Sequence, residues 1–289
     1  MSSMESPGVS AGRELEVGGR LGPYRLEDVL GEGGMGIVFR AVRDPDGETV
    51  ALKVMKQSLV GDETFRRRFV HEARAAQEVM HKNLVPILDA GEIEGRPYLA
   101  VAYVRGGSLA ERIKDEGQLS LDVVLDIAAG IGSGLDTLHD RGLFHRDVKS
   151  ANVLLDENGT AMLTDFGLAK GRAYTVLTRA GQVMGTLDYL APELIRGEPA
   201  TTSTDLYALG CLVFECLTGG PPFAGKPMYG LGVAHLEEQP PDPRTIRPDL
   251  PTSLAWAVLQ ALEKDPARRP TSATAYAMML RVAAREQGR

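Results

Sequence analysis

From Tyr24 onward the spacing of apolar positions in this 289-residue chain changes once. Up to about Tyr103 they often alternate, as in Ile37-Val-Phe-Arg-Ala-Val42, Thr49-Val-Ala-Leu-Lys-Val-Met55 and Tyr98-Leu-Ala-Val-Ala-Tyr103. A period of two sends successive side chains to opposite faces of a strand, so this region is predicted to be mainly β. One helix interrupts it over 63–80, where Phe65, Phe69, Ala76 and Val79 recur in steps of three and four. Glu72 falls on the same stripe, and a carboxylate among apolar neighbours requires a cation nearby. After Gly106-Gly107 the period becomes helical. Leu121, Val124, Leu125, Ala128, Ile131, Leu135 and Leu138 mark a helix over 121–139, and 206–217, 254–262 and 271–284 read similarly. The predicted class is α+β: a small strand-rich part with one main helix, then a larger, mostly helical part.

Residues 1–20 are rich in Ser, Gly and Glu without periodicity and are predicted to be a flexible tail. A domain over 21–285 follows, its strand-rich lobe ending near 104 and its helical lobe covering about 105–285. The Pro-rich stretch 239–251 is predicted to be a surface loop. Apolar residues at 43% and charged residues at 25% describe a soluble globular chain, and the net charge of −7 argues against a nucleic-acid partner. The apolar run 206–214 is far shorter than the roughly 18 residues of a membrane span and predicts a buried helix. The N-terminus lacks the basic and hydrophobic segments of an export signal, so the cytoplasm is the expected compartment. Cys211 and Cys216 have no metal-ligand spacing and are predicted to be buried thiols.

Gly31-Glu-Gly-Gly-Met-Gly36 satisfies G-x-G-x-x-G, a pattern shared with dinucleotide-binding folds. In those folds the third glycine opens a helix. Here it opens an alternating β-branched segment, so the loop joins two strands of a hairpin. Glycines let a backbone approach phosphates closely and adopt φ > 0. No G-x-x-x-x-G-K-[ST] occurs, which excludes a P-loop. The strand period puts Ala51 and Lys53 on one face, opposite Val50, Leu52 and Val54, and Lys53 and Glu72 each supply the countercharge the other needs. The segment 144–155 holds Asp147, Lys149 and Asn152. Thirteen residues beyond Asn152 stands Asp165-Phe-Gly167, preceded by Met162-Leu163 of a short strand. Two carboxylates, an amide and a lysine at loop ends are the groups that Mg·ATP chemistry requires.

Taken in order over about 24–284, these motifs resemble the protein-kinase family, and most closely its bacterial, eukaryotic-like (Hanks-type) Ser/Thr branch. Gly31, Gly33 and Gly36 with Val38 resemble the glycine-rich loop, and Val50-Ala-Leu-Lys53 the strand lysine motif. His145-Arg-Asp-Val-Lys-Ser-Ala-Asn152 resembles the catalytic loop, with Asp165-Phe-Gly167 and Ala191-Pro-Glu193 following. The resemblance implies a bilobal protein-kinase fold and a set of roles. Lys53 would contact the α- and β-phosphates and pair with Glu72, while Asn152 and Asp165 would hold Mg²⁺, with Mn²⁺ as an alternative. Asp147 would accept the substrate hydroxyl proton, and Lys149 would favour Ser/Thr substrates and stabilise the transferred phosphoryl group. Leu30, Ala51, Val101 as gatekeeper, the hinge from Ala102 to Val104, and Leu154 beneath the base would complete the nucleotide site. Ala102 stands where relatives often have Glu, so the hinge would bind through its backbone.

By the same resemblance His145 would pack beneath Phe166, Thr186 would bond Asp147 and Lys149, Asp205 would anchor the catalytic-loop backbone, and Arg269 would pair with Glu193. His71, His81, His139 and His235 show no partner spacing, and Arg66-Arg67-Arg68 reads as a solvated helix face. The expected activity is non-specific Ser/Thr protein kinase, transferring the γ-phosphate of ATP to protein substrates. Activation is expected through autophosphorylation of Thr178, or else Thr175, within a transient homodimer, with Arg146 as the receiving cation. Two rivals stand beside it: a pseudokinase scaffold, and a small-molecule kinase, which Ala191-Pro-Glu193 disfavours. Many family members carry a membrane helix and sensor domain after the kinase. The sequence ends at Arg289 with neither, which points to a free soluble kinase or a separate sensor protein.

Overall fold

The computed structural model describes residues 15–34, 36–44, 46–56, 63–165 and 187–285. Phe166, Gly167, Tyr174, Thr175, Thr178, Thr186 and the Phe65 side chain lie outside the described residues. The chain divides into two compact units: one holds the described residues up to His71 with Leu88–Tyr103, the other Glu72–Ile87 with Val104 onward.

The first unit contains β1 (Arg20–Leu21), β2 (Tyr24–Glu32), β3 (Gly36–Arg43), β4 (Glu48–Met55), β5 (Ile87–Ile93, all but its first residue) and β6 (Arg96–Ala102), in the sheet order β1-β2-β3-β4-β6-β5. Pairing begins before Tyr24, because Leu21 is fully buried in the sheet's core although it sits in a Gly-rich stretch with no period. That core gathers Tyr24, Leu26, Phe39, Val50, Leu52 and Tyr98, the apolar members of the alternating pattern. Asp89 bridges two of its phenols, accepting from Tyr24 OH at 2.9 Å and Tyr98 OH at 2.6 Å. The β5–β6 connection is a two-residue turn, Glu94-Gly95, with φ of 52° and 73°.

Helix α1 (Glu63–Gln77) ends before the predicted Met80. The Val79 N–H bonds to Ala76 O at 3.0 Å, closing a turn, yet Val79 stays buried as the apolar stripe requires.

The second unit is helical: α2 (Leu109–Glu116), α3 (Leu121–His139), α4 (Pro192–Ile195), α5 (Thr202–Thr218), α6 (Met228–Glu237), α7 (Thr252–Ala261) and α8 (Ala273–Ala284), with a small hairpin of β7 (Val153–Leu155) and β8 (Ala161–Leu163). Helix α5 is the apolar run of the sequence, buried from Thr204 to Thr218, and both cysteines lie in it as buried free thiols. Helices α3 and α7 pack against it, and α8 packs against α3 and α7. The crossings are close: an added Cβ at Gly210 would lie 2.8 Å from the Ala261 Cβ, and one at Gly132 2.8 Å from Ala273 O. Asp136 fixes the start of α8 by accepting from Ala273 N at 3.0 Å and Thr274 N at 2.9 Å, two donors that a helix N-terminus leaves unsatisfied.

Residues 72–87 join this unit through backbone bonds to β8, Val85 N to Leu163 O at 2.9 Å and Leu163 N to Asn83 O at 2.8 Å. The Pro-rich stretch lies largely at the surface, as predicted, but it is pinned to the unit at several points. Pro243, Leu250 and Pro251 are buried, and the Arg247 guanidinium donates to Leu119 O at 2.7 Å, so the segment packs as part of the unit. Among the described residues no helix is long and apolar enough to cross a membrane.

Candidate active site

Strand register organises the predicted residues of the sheet. Lys53 on β4 lies opposite Val38 on β3 and Leu99 on β6, and Ala51 lies opposite Val101. Directly paired residues share a face, so Val38, Ala51, Lys53 and Val101 line one side of the sheet. Val50, Leu52 and Val54 are buried on the other, as the alternation predicted. The glycine loop is the turn between β2 and β3, closed by Gly33 N to Gly36 O at 2.9 Å. A side chain at exposed Gly31 or Gly33 would meet nothing within 4 Å. Gly36 differs: its Cβ would run into the Val54 carbonyl oxygen of β4, so packing within the sheet requires this glycine as well. Leu30 is exposed near the end of β2, Ala102 ends β6 opposite Val50, and Val104 is half-buried in the second unit.

In the helical unit the loop after α3 is built around Asp205 of α5, which is buried. Its carboxylate accepts His145 N at 2.8 Å and Arg146 N at 2.7 Å, as the resemblance implied. Arg146 has a φ of 61°, a left-handed conformation that a non-glycine residue adopts at a cost, and the two bonds hold it there. His139, the last residue of α3, adds a third contact, Nε2 to Asp205 Oδ2 at 2.9 Å. Sequence reasoning missed it because 66 positions separate the partners.

Asp147, Lys149 and Asn152 come together. The Asn152 amide donates to Asp147 O at 2.8 Å and to Asp147 Oδ2 at 2.9 Å, and Lys149 Nζ lies 3.2 Å from that same Oδ2. A short 3₁₀ turn, Ser150–Asn152, supplies the spacing and leads into β7, which carries half-buried Leu154. The β7–β8 hairpin then delivers Asp165: Thr164 N donates to Asn152 O at 2.9 Å, and Asp165 follows with a φ of 58°. His145 is fully buried and locks this junction. Its Nδ1 accepts Asp147 N at 3.3 Å, so Nε2 carries the proton and donates to Thr164 O at 3.0 Å. Burial lowers its pKa below the ordinary histidine value. With both ring nitrogens committed to the backbone, His145 is a structural residue; its expected neighbour Phe166 lies outside the described residues.

Glu72 has a cation within reach, Arg146 Nη1 at 3.5 Å, and both side chains are 25% exposed, so Arg146 is not confined to the solvent side of the loop. Arg67 is exposed and pairs with Glu63 at 2.6 Å, as a solvated helix face would, whereas Arg66, 3.7 Å from Glu92, and Arg68, whose Nε is shielded from solvent, are half-buried. Glu193 and Arg269 form the implied buried ion pair, at 2.8 and 2.9 Å, with Thr204 Oγ1 donating to the same carboxylate at 3.0 Å. Burial pushes the Glu193 carboxyl up, but the Arg269 bonds outweigh it and leave the group below the usual Glu value.

Among the described residues no group of three or more His, Cys, Asp and Glu side chains could hold a metal ion unaided. The donors present fit a hard cation that keeps other ligands. Asn152 spends its Nδ2 on Asp147, which makes Oδ1 the available amide donor, and Asp165 adds a carboxylate. Mg²⁺ is bound in this manner, through one or two protein oxygens together with water and substrate phosphates.

Residues 24–280 match the family model described as protein kinase domain. The chain is 39% identical over 256 residues to the serine/threonine-protein kinase PknE of Mycobacterium tuberculosis, covering 89% of this chain and 45% of the relative. It is 37% identical over 265 residues to PknH of Mycobacterium bovis, covering 92% and 44%. The crystal structure of the Mycobacterium tuberculosis PknI kinase domain superposes with a TM-score of 0.76 at 30% identity, over 94% of this chain and all of that one. The chain thus spans about half the length of the curated relatives it matches. Nearly all of it is accounted for by one family model whose motifs occur here in order, and it belongs to the protein kinase family, in the bacterial Hanks-type Ser/Thr branch.

Proposed function

We propose that this chain is a Ser/Thr protein kinase that transfers the γ-phosphoryl group of ATP to hydroxyls of protein substrates. The observation that carries this reading is the placement of Lys149 Nζ and the Asn152 amide on one oxygen of Asp147. Together they set the orientation of the carboxylate, so that Asp147 can take the proton of an incoming hydroxyl, while Lys149 stands beside it to face phosphoryl charge. Asn152 and Asp165 are the residues that would hold Mg²⁺ or Mn²⁺, which when bound neutralises phosphate charge. In the sheet, Lys53 is assigned to the α- and β-phosphates with Glu72 as its countercharge. Leu30, Gly31, Gly33, Gly36, Val38, Ala51, Val101, Ala102 and Val104 are assigned to the nucleotide, with Leu154 beneath the base.

Activation by autophosphorylation at Thr178, or else Thr175, in a transient homodimer belongs to the same proposal, with Arg146 receiving the phosphate. Both threonines lie outside the described residues. Phosphopeptide mapping of active protein tests them, and finding neither modified rejects this part. Action in the cytoplasm fits ATP as substrate and the two buried free thiols.

The deciding experiment incubates purified protein with labelled ATP, Mg²⁺ and a generic basic protein, beside an Asp147→Asn variant. A general base contributes about 10²–10⁴-fold in rate, so the variant should lose nearly all labelling. Equal labelling by both proteins rejects the mechanism.

A further inference from the structure

Between the end of α7 and the last turn of α6 lies an amine that none of the roles above uses. Lys264 follows α7 and is half-buried. Its Nζ donates to Ala234 O of α6 at 3.0 Å and stands 4.9 Å from the Phe223 ring centroid and 5.9 Å from that of Tyr207. No carboxylate pairs with it among the described residues, and its acidic neighbour Glu238 is committed to Lys226 at 2.8 Å. The Arg269 guanidinium also lies over Tyr207, 4.9 Å from the centroid, and Arg196 adds a further positive charge nearby.

This cluster favours an uncharged amine. Aromatic faces attract a cation but carry no countercharge, and neighbouring guanidiniums repel one. The bond to Ala234 O does not depend on charge, since an amine N–H donates to a carbonyl as an ammonium does. Burial, reinforced by Arg269 and Arg196, pushes the Lys264 pKa from 10.5 down to about 8 despite Cys211 and Glu238 nearby. Tyr207 and His235, the other titratable groups of the cluster, are uncharged at neutral pH, because burial raises the phenol and lowers the imidazole. A desolvated lysine beside other cations is an activated nucleophile.

We propose that Lys264 is a site of covalent acylation by acyl phosphates. Its Nζ lone pair attacks the carbonyl carbon, and the bond from that carbon to the bridging phosphate oxygen breaks. Phosphate leaves with the electron pair and takes the proton that the nitrogen loses. The product is a neutral amide whose remaining N–H keeps Ala234 O as its acceptor, so the modification removes a half-buried charge and retains the hydrogen bond. A phosphate-bearing donor suits the site because exposed Arg196 stands beside it to attract the dianion. Lys264 lies outside the groups assigned to phosphoryl transfer, so this site stands or falls independently of the kinase reading.

The test incubates the purified chain with acetyl phosphate, caps the remaining amines in concentrated urea with heavy-isotope acetic anhydride, and reads the occupancy of each lysine by mass spectrometry. At pH 7 Lys264 should be acetylated at least about tenfold faster than Lys114, an exposed lysine of α2, and the ratio should shrink as the pH is raised to 10. When the acetyl phosphate step is itself run in urea, the two should react within about twofold of each other, because the fold rather than the local sequence creates the advantage. Equal rates in the folded chain, a Lys264 that stays unmodified while Lys114 reacts, or a preference that survives in urea overturns the proposal.

Discussion

The carboxylate of Asp205 accepts the backbone N–H of Arg146 at 2.7 Å, at a residue held with a φ of 61° one position before Asp147. The direction in which Asp147 leaves the chain is thus set from α5, nearly sixty residues later in sequence. Asp205→Asn keeps the shape but replaces one acceptor with a donor, leaving a buried N–H of His145 or Arg146 unsatisfied. The expected cost is about 1–3 kcal/mol of stability. Phosphorylation should fall by at least about tenfold under conditions where the variant is folded, because a small misplacement at the reacting group is enough. A denaturant midpoint and a rate measured together decide it. Full activity in a destabilised variant would show that Asp205 anchors the loop without placing Asp147.

The glycines of the β2–β3 turn should separate into two kinds. Gly36→Ala forces a methyl group onto the Val54 carbonyl and should cost about 1–3 kcal/mol, visible as a lower melting temperature. Gly33→Ala meets open space and should leave stability within about 0.5 kcal/mol while raising the KM for ATP. The same melting temperature for both variants would contradict the packing assigned to Gly36.

Acid should unfold the helical unit partly through His235. This residue is fully buried with Nδ1 2.8 Å from Tyr207 OH, and burial, helped by Lys264, pushes its pKa from 6.5 down to about 3. The folded chain therefore resists protonation that the unfolded chain accepts. The corresponding stability is present in full above pH 6.5 and is lost as pH falls toward about 3. One proton corresponds to about 1.4 kcal/mol per pH unit. Urea unfolding at pH 7, 6 and 5 should show a slope that decreases by about that amount in His235→Phe; an unchanged slope would mean that His235 protonates with little cost in the fold.

Tyr276 of α8 is fully buried and its hydroxyl has no hydrogen-bond partner among the described residues. An unsatisfied buried hydroxyl is a net penalty, so Tyr276→Phe should raise stability by about 1 kcal/mol while the ring keeps its packing. A drop in stability on the same measurement would reveal a partner for the hydroxyl.

Much of the fold was legible because its signals are local. A period of two over 49–55 and a period of 3.6 over 121–139 each follow from the geometry of one element, and β4 and α3 appear where those patterns lie. The hairpin character of the glycine loop was readable for the same reason, from the strand pattern that follows Gly36. Shorter elements such as β1 and α4 escaped, since two to four residues do not complete a period.

Sequence by itself determined the order of the motifs, the faces of the longer strands and helices, and the chemical types gathered near Asp147. Only the tertiary structure decided the partners: Asp205 with His139, Arg247 with Leu119 O, and Glu215 with both Ser150 and Tyr189. Periodicity states which way a side chain points from its own element. Which group waits there depends on how elements far apart in the chain pack, and no local spacing encodes that.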